Sequence, residues 1–169
     1  SGAAGRRGIG LATARLFVEQ GARVAILDLD ESHSREAANS LGEGHVGLAC
    51  NVTDRDACQR AVDAILRVFG HVDILINNAG ISMRALFNEL DLNVLRKVMD
   101  INFWGTVYCT KYALPYLLNS KGSVVGISSI AGYNGLPGRT GYSASKFAIH
   151  GFLDALRIEN LKTGLHVLI

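Results

Sequence analysis

Short runs of β-branched and aliphatic residues alternate with longer stretches of helical spacing, and this alternation constrains the fold more than any other feature of the chain. The runs are apolar throughout, which is typical of strands that are buried on both faces of a parallel sheet. Right-handed crossovers between such strands give a doubly wound α/β domain, Rossmann-like in its topology. The predicted strands are residues 23–27, 45–50, 72–76, 123–127 and 165–169.

Capping residues delimit the helices between these strands. Asp54 is a predicted N-cap, because its carboxylate can accept hydrogen bonds from the first backbone N–H groups of a helix. Pro115 lies within a longer helical stretch, residues 88–118, and should end or kink the helix there. The other predicted helices are each closed by a glycine: a first helix before Gly21, residues 55–69 before Gly70, and residues 142–162 before Gly164.

Residues 1–169 contain no linker or repeat and are predicted to form a single domain. The chain opens on a glycine loop with no strand before it, and it stops inside an apolar run. We therefore expect the domain to lack its first strand and its C-terminal part.

Composition excludes several classes of protein. Hydrophobic residues make up 49% and charged residues 19%, which excludes a disordered chain. The 17 basic and 15 acidic residues leave a net charge of +2 without a basic run, so nucleic-acid binding is not expected. No signal peptide and no apolar run of roughly 18 residues occurs, which predicts a cytoplasmic protein without a membrane partner. The three cysteines and five histidines lack metal-ligand spacing, so no metal site is predicted.

A glycine-rich segment precedes the first helix. Gly2, Gly8 and Gly10, with Ile9 between the last two, would let the backbone approach a pyrophosphate at the positive N-terminus of that helix. Asp28 ends the next strand about 20 residues later, where a carboxylate can accept hydrogen bonds from a ribose diol. A plain strand-to-helix turn and a solvated turn aspartate are the alternative interpretations.

Tyr142 and Lys146 lie four residues apart on a predicted helix and therefore share one face. A nearby ammonium stabilises a phenolate, so the pair could move a proton. Ser129 follows a predicted strand at its carboxyl end, where doubly wound domains place their ligands. Each of these features also occurs by chance or as ordinary turn chemistry.

Taken together, the residues resemble the short-chain dehydrogenase/reductase family along the whole chain. The segment Asn-Asn-Ala-Gly at residues 77–80, which includes Asn78, Ala79 and Gly80, is similar to the family's segment after the fourth strand. Asn102, Ser129, Tyr142 and Lys146 match its catalytic residues in order and spacing. Asn51 and Val52 occupy the place of the Asp-Val pair that lies beside the adenine in that family.

The resemblance implies a dinucleotide-binding catalytic domain that uses NAD or NADP and acts on a small alcohol or ketone. Tyr142 would be the general acid and base, and Ser129 would donate a hydrogen bond to the substrate oxygen. Lys146 would stabilise the phenolate and bind the nicotinamide ribose, and Asn102 would hold a water in the proton path. Asp28 favours NAD over NADP, although Arg7 beside the loop favours the opposite choice. The resemblance also implies a homodimer or homotetramer.

The glycine loop departs from the family pattern, because five residues separate Gly2 from Gly8, two more than usual. We expect the extra residues to form a bulge at residues 5–7. Asn51 stands where aspartate is usual and keeps a hydrogen-bonding group. The competing hypothesis is a non-catalytic relative that retains the fold as a binding or oligomerisation scaffold.

Overall fold

The computed structural model describes residues 8–169, and these contain five strands that are all parallel. Each strand overlaps one of the predicted apolar runs, so the doubly wound α/β prediction is confirmed. The strands are β1 (Ala25–Asp28), β2 (Val46–Ala49), β3 (Ile74–Asn77), β4 (Ser123–Gly126) and β5 (His166–Leu168).

Six α-helices connect and flank the strands in the described part of the chain. Asp54 caps one of them as predicted, since its side chain accepts from the backbone N–H groups of Asp56 and Ala57. Gly70 ends the same helix with a φ of 81°, a left-handed conformation that glycine adopts without strain. The helices are α1 (Ile9–Glu19), α2 (Glu31–Asn39), α3 (Arg55–Phe69), α4 (Leu92–Met99), α5 (Gly105–Ser120) and α6 (Thr140–Glu159).

Three helical predictions differ from the structure. The stretch at residues 88–118 is not one helix: a 3-10 turn (Phe87–Glu89) precedes α4, and a π-helix (Asp100–Trp104) joins α4 to α5. Of the two effects expected of Pro115, an end of the helix does not occur, because α5 continues to Ser120. The helix expected at residues 142–162 begins at Thr140 and ends at Glu159, before the turn that leads to Gly164.

The sheet is divided into two parts. β1 pairs with β2, whereas β3, β4 and β5 form a second sheet in that order. Between the facing edges of β1 and β3 lies an apolar groove of about 380 Å³, and no described strand pairs with either edge.

Three buried clusters hold the layers together. Leu117, Val124 and Leu153 are the fully buried centre of the cluster between β4, β5, α5 and α6. A second cluster packs β1 and β2 against α3 and α5 and includes all three cysteines, which are free thiols. The third surrounds Ile26 between α1 and α2.

None of the helices described by the structure is long and apolar enough to cross a bilayer.

Candidate active site

The carboxyl ends of four parallel strands bring the predicted site residues to one edge of the fold. β1 ends at Asp28, β2 is followed by Asn51, β3 ends at Asn77, and β4 is followed by Ser129. In doubly wound domains ligands bind at this edge, because the loops there converge from several strands. The predicted residues Asp28, Asn51 and Ser129 therefore lie at or just after the carboxyl ends of their strands.

The glycine loop is described only at its end. Gly8 has an extended backbone and forms the N-cap of α1, and its carbonyl accepts from the N–H of Ala12 at 3.3 Å. Ile9 and the buried Gly10 open the helix, whose first backbone N–H groups have no acceptor within the helix. Gly2 and the predicted bulge at residues 5–7 lie outside the described residues.

Asp28 ends β1, and Asn51 follows the neighbouring strand β2. The Asp28 carbonyl accepts from the N–H of Cys50 at 2.7 Å, which fixes the end of β1 beside the end of β2. The exposed Asn51 side chain accepts from the backbone and hydroxyl of Thr53, so it forms a local turn. Val52 is buried against α5, where a Cβ on Gly105 would come within 2.8 Å of it.

The segment after β3 lies directly beside the predicted catalytic residues. Gly80 lacks a Cβ where one would lie 3.3 Å from Asn102 Oδ1 and 3.8 Å from Lys146 Nζ. Asn78 and Ala79 connect it to the strand and are half-buried. The segment that is similar to the family's segment after the fourth strand thus lies against two of the residues predicted to be catalytic.

Asn102 is fully buried in the π-helix, and both N–H groups of its side-chain amide form hydrogen bonds. Its Nδ2 donates to the Ile81 carbonyl at 3.0 Å and to Ser145 Oγ at 2.9 Å, while Oδ1 accepts from the Ile81 N–H at 2.8 Å. One acceptor position on Oδ1 remains for a further donor such as water. π-helices are often found at functional sites, and here the π-helix carries this side chain.

Ser145 is a site residue that the sequence analysis missed. It is fully buried, accepts from Asn102, and donates to the carbonyl of Tyr142 at 2.7 Å. It thereby links the π-helix to the start of α6. The only sequence signal for it was a small hydroxyl residue three positions after Tyr142.

Ser129 begins a short 3-10 turn (Ile130–Gly132) after β4. Its hydroxyl oxygen accepts from the N–H of Ala131 at 3.2 Å, and its carbonyl accepts from the N–H of Gly132 at 2.8 Å. None of the described residues accepts the hydrogen of its hydroxyl group. The side chain is therefore fixed as an acceptor locally and retains a hydrogen that it can donate.

Tyr142 and Lys146 face each other on α6 as predicted. The ammonium nitrogen of Lys146 lies 5.7 Å from the centroid of the Tyr142 ring, and it donates to the Ile127 carbonyl at 2.6 Å. The lysine is only 5% exposed, and among the described residues no carboxylate lies within salt-bridge distance of it. Burial disfavours the charged form and lowers the pKa of Lys146.

Metal ligation has no counterpart at this edge of the fold. The described residues contain no group of three or more histidine, cysteine or acidic side chains placed to hold a metal ion. The structure instead brings the Lys146 nitrogen beside the Tyr142 ring on α6.

Comparison with known proteins identifies relatives of this chain. A family model described as short chain dehydrogenase matches residues 3–169. Dehydrogenase/reductase SDR family member 7B from Rattus norvegicus is 41% identical over an alignment of 170 positions, which covers 95% of this chain and 52% of that protein. 11-beta-hydroxysteroid dehydrogenase A from Sesamum indicum is 38% identical, over 90% of this chain and 45% of that protein.

A solved structure shows the same fold. Sorbitol-6-phosphate 2-dehydrogenase from Erwinia amylovora superposes with a TM-score of 0.91 at 25% identity, over 96% of this chain and 67% of that one. The chain spans about half the length of the curated relatives described above.

Proposed function

Because this chain belongs to the short-chain dehydrogenase/reductase family, we propose that the protein is an oxidoreductase that transfers a hydride between a nicotinamide cofactor and an alcohol or carbonyl substrate. The observation that carries the proposal is the Lys146 ammonium, buried beside the Tyr142 ring with a backbone carbonyl as its hydrogen-bond acceptor. A buried ammonium is costly unless its charge is paired and its three N–H groups are bonded, and the Ile127 carbonyl accepts from only one of them. Ribose hydroxyls and a phenolate are suitable partners.

The described residues fit a nicotinamide dinucleotide. Gly80 leaves open a space beside Asn102 and Lys146 that any side chain would narrow, and a sugar could lie against this backbone. The N-terminus of α1 at Gly8 and Gly10 favours the charge of a pyrophosphate. The cofactor would also contact the backbone of Ile9, Asn78 and Ala79. Its adenine would lie beside Asn51 and Val52.

The reaction assigns a task to each of four side chains. When bound, the nicotinamide supplies or accepts the hydride. Tyr142 gives a proton to the substrate oxygen in reduction and removes it in oxidation, because its hydroxyl lies on the face of α6 that carries Lys146. Ser129 donates its free hydrogen to the same oxygen and stabilises the charge that develops there.

Lys146 and Asn102 support the transfer of the proton to and from Tyr142. The Lys146 ammonium stabilises the Tyr142 phenolate and binds the ribose hydroxyls of the cofactor. Asn102 would hold a water at the remaining acceptor position of its Oδ1, and that water would belong to the path by which the proton reaches solvent. Its rigid attachment to Ile81 keeps that position constant during turnover.

We assign NAD as the preferred cofactor. Asp28 ends β1 at the edge where the adenosine ribose would lie, and its carboxylate would repel a 2′-phosphate. Comparison of kcat/KM for NAD and NADP tests this choice. A clear preference for NADP would mean that Arg7 determines the specificity instead.

Exposed apolar side chains support the proposed assembly, and free thiols support the proposed location. Exposed apolar residues on α5 and α6, including Tyr116 and Phe147, are suited to a homodimer or homotetramer interface. All three cysteines are free, which suits a reducing compartment such as the cytoplasm. The substrate is a small alcohol or ketone, and neither nucleic acid nor a membrane is a proposed partner.

Nicotinamide absorbance, followed with a panel of secondary alcohols and ketones, tests the proposed function in the whole protein. We expect oxidation of at least one alcohol or reduction of the corresponding ketone. Tight cofactor binding without turnover of any compound in the panel would support the non-catalytic scaffold instead.

A further inference from the structure

The chain segment that leaves β4 is attached to α6 at two successive residues. Lys146 Nζ donates to the Ile127 carbonyl at 2.6 Å. One helical turn later, His150 Nε2 lies 2.6 Å from Ser128 Oγ. Tyr142, Lys146 and His150 are spaced four residues apart, so they share one face of the helix. The first two belong to the proposed active site, whereas the third has no assigned role there.

The contact between His150 and Ser128 is closely packed. A Cβ added to Gly132 would lie 2.7 Å from both His150 Nε2 and Ser128 Oγ, so only glycine fits beside the pair. The Tyr133 ring packs against the imidazole in an edge-to-face arrangement, with 4.5 Å between the ring centroids. The imidazole is therefore held by contacts on two sides, which fixes the position of its nitrogen atom.

Ser129 lies between the residues that His150 contacts. Its carbonyl accepts from the Gly132 N–H, and its hydroxyl accepts from the Ala131 N–H. Ser128 precedes it directly, and Gly132 closes the turn that follows it. A shift of either neighbour would therefore move the Ser129 hydroxyl relative to Tyr142.

We propose that His150 is a positioning residue that fixes the Ser129 hydroxyl for the reaction by hydrogen bonding to Ser128. This inference rests on the proposed function, since it requires Ser129 to touch the substrate oxygen. Lys146 fixes the backbone at Ile127, but among the described residues only His150 bonds the Ser128 side chain. Without this contact the half-buried Ser128 hydroxyl would need a new partner, and the turn that carries Ser129 would rearrange.

Two substitutions of His150 separate the hydrogen bond from simple packing. His150→Leu fills most of the space but cannot bond Ser128. His150→Gln places an amide group near the position of Nε2 and can restore the bond. His33→Leu is the matched control, because His33 is an exposed residue on α2 far along the chain from this site.

Steady-state kinetics on the whole protein provide the first measurement. We expect His150→Leu to lower kcat by about 10- to 100-fold, because small displacements of a catalytic group have effects of this size. KM and the dissociation constant of NADH, followed by its fluorescence, should change by less than about threefold because the cofactor contacts remain. His150→Gln should recover most of kcat, and His33→Leu should leave it unchanged. An unchanged kcat in His150→Leu, or failure of glutamine to restore it while both variants fold, would overturn the proposal.

Crystal structures of the two variants provide a measurement that does not depend on turnover. We expect the Ser129 hydroxyl to move in His150→Leu and to keep its position in His150→Gln. An unmoved Ser129 in both variants would refute the positioning role. If the unmodified protein turned over no compound while Ser129 moved as expected, the proposed function would fail and the structural role of His150 would stand.

Discussion

Replacement of Asn102 by alanine should destabilise the protein strongly, because this side chain joins three segments of the chain. It bonds both backbone groups of Ile81 and the hydroxyl of Ser145, and it is fully buried. In the variant, Ser145 keeps its bond to the Tyr142 carbonyl, whereas the N–H and carbonyl of Ile81 lose their partner. A fully buried polar group without a partner costs about 1–3 kcal/mol, and the two Ile81 groups are partly buried, so we expect a combined loss of about 2 kcal/mol. Total stabilities of domains are only about 5–15 kcal/mol.

Urea denaturation followed by circular dichroism measures this loss. Asn93→Ala is the matched control, because Asn93 is exposed on α4 and its replacement should change the free energy of unfolding by less than about 0.5 kcal/mol. The midpoint should fall for Asn102→Ala with an unchanged slope. A loss below about 1 kcal/mol would refute the reasoning, since water or a rearranged backbone would then satisfy Ile81.

Three further predictions concern burial, close packing and cofactor choice. Burial lowers the pKa of Lys146, so between that lowered value and the ordinary lysine value the unfolded chain binds more protons than the folded chain. The free energy of unfolding should therefore rise with pH across this alkaline interval. The Lys146→Met variant should lack the rise. Gly47→Ala should cost about 1–3 kcal/mol in urea denaturation, because a Cβ would lie 2.2 Å from the Ser34 backbone, whereas Gly151→Ala, with open space around it, should be neutral or stabilising. Asp28→Ser should raise kcat/KM with NADP relative to NAD, since it removes the carboxylate that would repel a 2′-phosphate; an unchanged ratio would contradict the role of Asp28.

The sequence predicted the bounds of a helix where recognisable capping residues stand at both of its ends. Helix α3 has the predicted bounds because Asp54 caps its first turn and Gly70 ends it. Helix α2 was not predicted, because its sequence is polar and offers little apolar periodicity beyond Ala37 and Ala38. Its signal was the capping residue Asp30, whose side chain accepts from the backbone of Ser32 and His33.

Motif order predicted which residues meet at the candidate site, but not how they are held. Tyr142 and Lys146 follow from helical spacing alone. The attachment of Asn102 to Ile81 and Ser145 depends on a π-helix, and helical spacing in the sequence does not distinguish that from an α-helix. The contact of His150 with Ser128 joins residues 22 positions apart, so it depends on how α6 packs against the end of β4.

Comparison of Tyr142→Phe with the unmodified protein tests the central claim most directly. The substitution removes one hydroxyl and retains the ring beside Lys146. With an alcohol or ketone on which the unmodified protein is active, nicotinamide absorbance should show turnover reduced to the background level. Titration of NADH fluorescence should show a dissociation constant within about threefold of the original, since the cofactor contacts remain. Near-normal turnover by the phenylalanine variant would contradict the assignment of Tyr142 as the general acid and base.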